Sequence, residues 1–494
     1  MTDNNRKVYI AVDLGATSGR VIAGVWSDGK LELVEKHRFE TPSVLLRGRW
    51  YWDFLSLYSE ILYGIKSVVD SYGAAAVSIG VDTWGVDYGL LDEKGELLAN
   101  PVCYRDSRTA KPFEYLAKEL GKDLIYSETG IQFMFFNTLY QMGAEVAENR
   151  TAFRSAKRIL FLPDLVNYWL SGVQGTERSI ASTTQMLNPH TGDWSVPILQ
   201  HLGVEPDFLG EIVEPGTKLG PVTKEVASAI GAAELSVTTV AGHDTGSAFM
   251  ALPEVQPNYG ILSSGTWSIL GFELEEPNTS QAAAEAGFSN EVGYGGTIRF
   301  LKNICGLWLL EECRRTWLAN GEEASYATIV EEAAKCEPMR SLIDPDYDAF
   351  ATAGDMPEKI RAFCRERGEP EPQTNAQMAR CIFDSLALKY DYVFSVLEKV
   401  TGKSLEGLFI LGGGSRNDLV NQLAADALGL PVVVGAAEAT AVGNVMAQMI
   451  ADGVAANLAE ARELVAPSFS PRRFTPREGA VTSAVKARFS ALIA

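Results

Sequence analysis

Two short stretches of this chain share one grammar, and together they constrain the fold more than anything else in it. Residues 8–12 are an apolar run closed by Asp13. The small and hydroxyl residues Gly15, Ala16, Thr17, Ser18 and Gly19 follow, then Arg20 and a second apolar run over 21–26. Residues 260–273, "GILSSGTWSILGFE", repeat the pattern of apolar run, hydroxyl–glycine turn and apolar run. Short apolar runs bounded by turn residues read as buried strands. In such a turn, glycines let a ligand approach the backbone, and unpaired N–H groups make a concavity for an anion. Alone, either turn reads as an ordinary hairpin. Two of them, opening two halves of the chain and one with an Asp at its strand end, point to a nucleotide held between domains.

The remaining pattern agrees with an α/β chain. Strands are expected over 9–12, 19–26 and 31–38 as a meander, then at 77–81 and 158–162, with helices over 53–72, 112–120 and 137–149. The second half predicts helices over 306–317 and 375–400, strands at 408–411 and 431–434, and helices after Ser415 and over 438–451. Strands alternating with helices argue for α/β layers. At 494 residues the chain exceeds one ordinary core. We therefore expect two domains, 1–243 and 244–494, meeting without a low-complexity linker. The net charge of −20 disfavours nucleic acid as a partner. No stretch is long and apolar enough to cross a membrane, so no membrane partner is expected. The start "MTDNNRK" lacks an apolar leader, and a cytoplasmic location is expected. Six cysteines form no zinc pattern; Cys364 and Cys381 could bridge, but free thiols are expected in a reducing compartment.

Two other phosphate-like motifs need weighing. "TGKS" (401–404) looks like the end of a P-loop, but the required first Gly falls on Leu397 within a helix pattern. "LGGGSRN" (411–417) follows a strand and opens a helix, yet Asn417 stands where a dinucleotide loop has its third Gly. It still offers a flat backbone surface suited to the adenosine side of a nucleotide. In "AGHDTGSA" (241–248), Asp244 lies at a strand-to-helix junction. It reads either as an N-cap or as a carboxylate poised to accept a proton from a hydroxyl.

An ordered set of segments carries a family resemblance: "VDLGATSGR" (12–20), "GVDTWGVDYGLLD" (80–92), "YRDSRT" (104–109), "LPDLVNYWLSG" (162–172), "GHDTGSA" (242–248), "LSSGTWSILGFE" (262–273), "RFLKNICGLWLLEE" (299–312), "LGGGSRN" and "EATAVGN" (438–444). The chain resembles the FGGY family of carbohydrate kinases over about 8–448. The resemblance implies two ribonuclease-H-like domains, of the actin and hexokinase type, with an interdomain cleft for ATP and a sugar. The sugar-side segments most resemble the branch that phosphorylates the 1-hydroxyl of L-rhamnulose. Other ketoses, such as L-fuculose or L-xylulose, and a non-catalytic sugar sensor are the alternatives. Oligomeric state is left open.

What the resemblance implies can be placed on residues of this sequence. Asp13 would help hold Mg²⁺; Ala16, Thr17, Ser18, Gly19, Arg20 and Thr266 would line the phosphates of ATP. Asn303 and Gly413 match ATP contacts. Glu311 falls where close relatives usually carry Gln, and a carboxylate accepts but does not donate. Asp244 would be the base, and Gly85, His243 and Thr245 match sugar contacts. At Gly85 a missing side chain would make room for a six-carbon ketose, and Trp84 would face its methyl group or lie in the core. His37, Lys302 and Lys403 read as solvated surface.

Overall fold

The computed structural model describes residues 6–252 and 258–493; the first five residues of the "MTDNNRK" start lie outside them. Residues 6–252, Glu273–Phe300 and Ala439–Ser470 form one compact unit, and 258–272, Leu301–Glu438 and 471–493 form another.

The first unit is built on a sheet with the order Lys218–Pro221, Ser236–Thr238, Ala76–Thr83, Lys7–Leu14, Ser18–Ser27 and Lys30–Glu40. The expected meander is its antiparallel edge. Ala76–Thr83 runs parallel to Lys7–Leu14, and Ser236–Thr238 parallel to Ala76–Thr83. Lys7–Leu14 is buried along almost its whole length, which explains its continuous apolar reading. A parallel-paired central strand is covered on both faces and cannot alternate. One cover is the helix Phe54–Tyr72, whose Leu57, Ile61, Ile65 and Val68 make a buried stripe at helical spacing. Each such side chain contributes about 1.5–3 kcal/mol by leaving water. On the helix Ala439–Ala451, Gln448 donates to Ile10 O at 3.1 Å and accepts from Ser78 Oγ at 2.5 Å. That ties a late segment of the chain to its first strands.

In the second unit, Tyr259–Ser264 pairs antiparallel with Trp267–Leu274 and parallel with Gly407–Leu411, which continues to Val432–Val434 and Arg472–Phe474. Its long helix, Asn375–Thr401, starts on the Thr374 hydroxyl and stops at Gly402, which is left-handed at φ 68°. The "TGKS" motif is therefore a helix C-terminus. All six cysteines are free thiols; Cys364 and Cys381 are neighbours, and the hydrogen bond between them pushes Cys381 up. Among the described residues, no helix is long and apolar enough to cross a membrane.

Some expectations needed adjusting. The helix expected over 112–120 is Ala110–Leu116, which loosens into a π-turn at Ala117–Gly121 before Lys122–Thr129. A hairpin of Ser43–Leu46 and Arg49–Trp52 and the helix Leu162–Ser171 were not anticipated.

Candidate active site

Strand register assembles the acidic centre of the first unit. Asp13 is the partner of Arg20 on one side and of Asp82 on the other. Arg20 Nη2 donates to Asp13 Oδ2 at 2.5 Å. Within the turn, Gly15 N donates to Ser18 O at 3.0 Å, and the Thr41 hydroxyl donates to Gly15 O at 2.9 Å. Asp82 is wholly buried, and Asn444 donates to its Oδ2 at 2.6 Å while Oδ1 has no hydrogen-bond partner. Burial, and then the Asp13 charge, hold its carboxyl well above the ordinary range.

The segment carrying Asp244 is docked beside that strand end. Thr83 N donates to Gly242 O at 2.8 Å, and Thr83 bridges to His243. Glu177 fixes it from the other side. Its carboxylate caps Arg178–Ser182 by accepting from Ser179 N at 2.8 Å and Ile180 N at 3.1 Å, and it also takes Gly242 N at 2.9 Å. Asp244 is the first residue of the helix Asp244–Met250 rather than its cap, which is His243. Thr245 N at 2.5 Å and Thr245 Oγ1 at 3.1 Å both donate to Asp244 Oδ1, and His243 Nε2 stands 3.4 Å from the same oxygen. His243 is buried, while Asp244 is half-buried.

Gly85 lies two residues past Thr83, in the loop after Ala76–Thr83. A Cβ there would come within 3.2 Å of Thr183 Oγ1, so the space beside it is partly filled by Thr183. Trp84 is core: it is buried, its ring centroid is 4.4 Å from that of Trp52, and both indole N–H groups donate to buried Asp87.

The second unit brings Thr266 and Gly413 to one place. Thr266 sits in the turn after Tyr259–Ser264, and its carbonyl accepts from Gly306 N and Trp308 N, each at 3.2 Å. The glycine loop lies on the same turn. A Cβ on Gly412 would meet Ser264 O at 2.8 Å and one on Gly414 would meet Ser264 Oγ at 2.3 Å, while one on exposed Gly413 meets nothing within 4 Å. Asn303 is half-buried on Ile298–Cys305. Glu311 is exposed on Trp308–Ala319 and accepts from Arg314 Nη1 at 2.6 Å. Neighbouring Lys302, expected in solvent, is half-buried, and burial draws its ammonium below the usual range. Lys403 lies over the Phe272 ring at 4.9 Å, and His37 Nε2 is 2.5 Å from Glu60.

Among the described residues, no three His, Cys, Asp or Glu could hold a metal by themselves. Mg²⁺ does not ask for that: it keeps its waters and takes one or two carboxylates plus phosphate oxygens. Buried Asp13, beside an Asp82 oxygen with no hydrogen bond, fits it.

With this geometry in hand, known proteins settle the family. The N-terminal domain of the FGGY family of carbohydrate kinases matches residues 8–251, and its C-terminal domain matches 260–451. The chain belongs to the FGGY family of carbohydrate kinases. Among FGGY proteins it is similar to the rhamnulokinase of Bacteroides thetaiotaomicron, at 44% identity over 481 residues, 97% of this chain and 98% of that one. It is also similar to the rhamnulokinase of Bacillus subtilis, at 39% over 471 residues, 95% and 96% of the two chains. Its fold is that of the gluconate kinase from Lactobacillus acidophilus (TM-score 0.81, 17% identity, 99% and 97% covered). Plasmodium falciparum glycerol kinase with ADP shares it (TM-score 0.78, 15% identity, 99% and 97% covered).

Several groups packed around Asp13, His243 and Asp244 carried no assigned role in the sequence reading: Asp82, Glu177, Glu291, Arg299 and Asn444. Asp82, Arg299 and Asn444 lie inside quoted segments. Arg299 reaches His243 across 56 positions of sequence, and no local spacing announces that.

Proposed function

We propose that this FGGY kinase transfers the γ-phosphoryl group of ATP to the 1-hydroxyl of L-rhamnulose, releasing L-rhamnulose 1-phosphate and ADP. The observation that carries the chemistry is Asp244, whose Oδ1 accepts both the Thr245 N–H and the Thr245 hydroxyl while neither of these goes to Oδ2. That leaves one carboxylate oxygen to accept a proton. The similarity to proteins named rhamnulokinase over nearly their whole length supports the sugar.

In this reading the sugar binds against Gly85, His243 and Thr245. The 1-hydroxyl gives its proton to Asp244, its oxygen bonds the γ-phosphorus, and the bond to ADP breaks. Phosphoryl transfer asks the protein mainly for positioning and charge stabilisation. Ala16, Thr17, Ser18, Gly19, Arg20 and Thr266 supply N–H and hydroxyl donors to the phosphates. Arg20 also clasps Asp13, which holds that carboxylate toward the phosphate turn. Asn303, Glu311 and the open face of Gly413 receive the nucleoside. Magnesium, when bound, would sit at Asp13 and neutralise phosphate charge. By motif, 1–243 carries the sugar side and first phosphate turn, and 244–494 the nucleotide side. We place the protein in the cytoplasm, with no nucleic-acid or membrane partner.

The test is ADP release from Mg·ATP with L-rhamnulose, L-fuculose and L-xylulose in parallel. L-Rhamnulose should give the highest kcat/KM. Strong release with another ketose and none with L-rhamnulose would overturn the sugar assignment; no release with any of them would return the chain to the sugar-sensor reading.

A further inference from the structure

Behind His243 lies a buried charge pair outside the sequence-level site. Arg299, on the strand Ile298–Cys305, is wholly buried, and Glu291, on Ser289–Val292, nearly so. The guanidinium is pinned on three sides. Nε and Nη2 donate to Val292 O at 3.3 and 3.1 Å, and Nη1 stands 3.0 Å from Glu291 Oε2. A Cβ on Gly246 would lie 3.4 Å from its central carbon, so the Asp244–Met250 helix rests on it. Nη1 also lies 3.3 Å from His243 Nδ1, aligned for donation. On the far edge of the ring, Nε2 faces Asp244 Oδ1 at 3.4 Å.

These contacts decide where the imidazole proton sits. A neutral imidazole has one donor and one acceptor nitrogen. Arginine only donates, so an aligned Arg299 N–H asks Nδ1 for its lone pair and moves the proton to Nε2. An ionised Asp244 only accepts, so it asks for the same tautomer. The competing group is Glu291, whose Oε2 is 3.0 Å from Nδ1. That contact is not aligned for a hydrogen bond; Oε2 is buried with no hydrogen-bond partner of its own, and its charge is matched by Arg299. We propose that Arg299, clamped by Glu291, is a positioning residue: its aligned N–H on Nδ1 fixes the Nε2–H tautomer of His243, so that the ring carries its N–H on the edge that faces Asp244 Oδ1 at 3.4 Å. The catalytic consequence rests on Asp244 being the base; the tautomer itself does not.

Side-chain ¹⁵N NMR of the histidines in the full-length protein reads this directly. There are four histidines, and the signal absent from His243→Asn identifies the one concerned. The wild type should show His243 as the Nε2–H tautomer. Replacing both charges with apolar residues of similar size (Arg299→Met with Glu291→Leu) strands no buried ion, which keeps such a variant foldable. In it the Nε2–H tautomer should lose its dominance, and kcat should fall on the order of tenfold to a hundredfold, the scale of a misplaced reacting group, with KM for ATP unchanged. Arg299→Lys keeps a donor and should recover the tautomer and much of that kcat. An Nδ1–H tautomer in the wild type overturns the proposal, even if the double variant does not fold. So does a folded double variant with the wild-type tautomer and kcat. Full turnover in Asp244→Asn would instead remove the base assignment and leave the tautomer result standing.

Discussion

Two adjacent glycines, Gly413 and Gly414, should answer to a methyl group in opposite ways. On Gly414 the new carbon would stand 2.3 Å from Ser264 Oγ and 3.0 Å from Ser264 Cβ and C. Ser264 is buried, and its backbone belongs to the strand Tyr259–Ser264, so it cannot step aside. Gly414→Ala should therefore lower stability by about 1–3 kcal/mol, the ordinary cost of overpacking. Gly413 has no positive φ, and a methyl there meets no atom within 4 Å. Gly413→Ala should leave stability unchanged or raise it by about 0.4–1 kcal/mol, because the unfolded chain loses freedom. If that face receives the nucleoside, the methyl occupies its space, and a penalty of about 1.4 kcal/mol would raise KM for ATP about tenfold. KM for the sugar should hold. Urea melts of the ligand-free variants and initial rates at varied ATP separate the effects. Unchanged KM for ATP in Gly413→Ala, or wild-type stability in Gly414→Ala, would refute the reasoning.

Thr266→Val should cut kcat about tenfold or more with the melting temperature unchanged, since a hydroxyl aimed at transferring phosphate acts mainly in the transition state. Its fold role is carried by the carbonyl, so loss of stability with full activity would contradict that assignment. Asp164 is buried, and burial plus the Glu177 charge hold its pKa well above 3.8. The native state thus keeps a proton that the unfolded chain releases, and wild-type stability falls as pH rises from about 4 toward the raised native pKa. Asp164→Asn removes this dependence, so its melting temperature should gain on the wild type between pH 4 and 8; a pH-independent difference would count against it.

What the sequence made legible is what burial writes into it. The run ending at Asp13 reads as a strand because Lys7–Leu14 is covered on both faces, and both hydroxyl–glycine turns follow from runs of that kind. The hairpin Ser43–Trp52 escaped because Val44, Leu45 and Leu46 are all exposed, which breaks the alternation a half-buried strand would show. Leu162–Ser171 escaped because it starts directly on the strand Arg158–Phe161 with Pro163 in its first turn. At the candidate site, the position of Asp244 at the start of a helix was legible. The groups that orient it were not: Glu177 meets Gly242 across 65 positions and Arg299 meets His243 across 56. Such tertiary contacts leave no period to read.

The central claim is that Asp244 takes the proton as phosphate moves from ATP to O1 of L-rhamnulose. Asparagine in its place keeps the volume and can still hydrogen-bond the sugar, but it accepts no proton at neutral pH. The decisive measurement is transfer from Mg·ATP to L-rhamnulose by wild type and Asp244→Asn side by side, with the product's phosphate position read by ³¹P NMR and sugar binding by calorimetry. The wild type should yield the 1-phosphate. The variant should bind the sugar within a few-fold of the wild type yet turn over ~10²-fold or more slowly. Near-normal turnover by a correctly folded Asp244→Asn protein, or phosphate on another oxygen, would contradict the account.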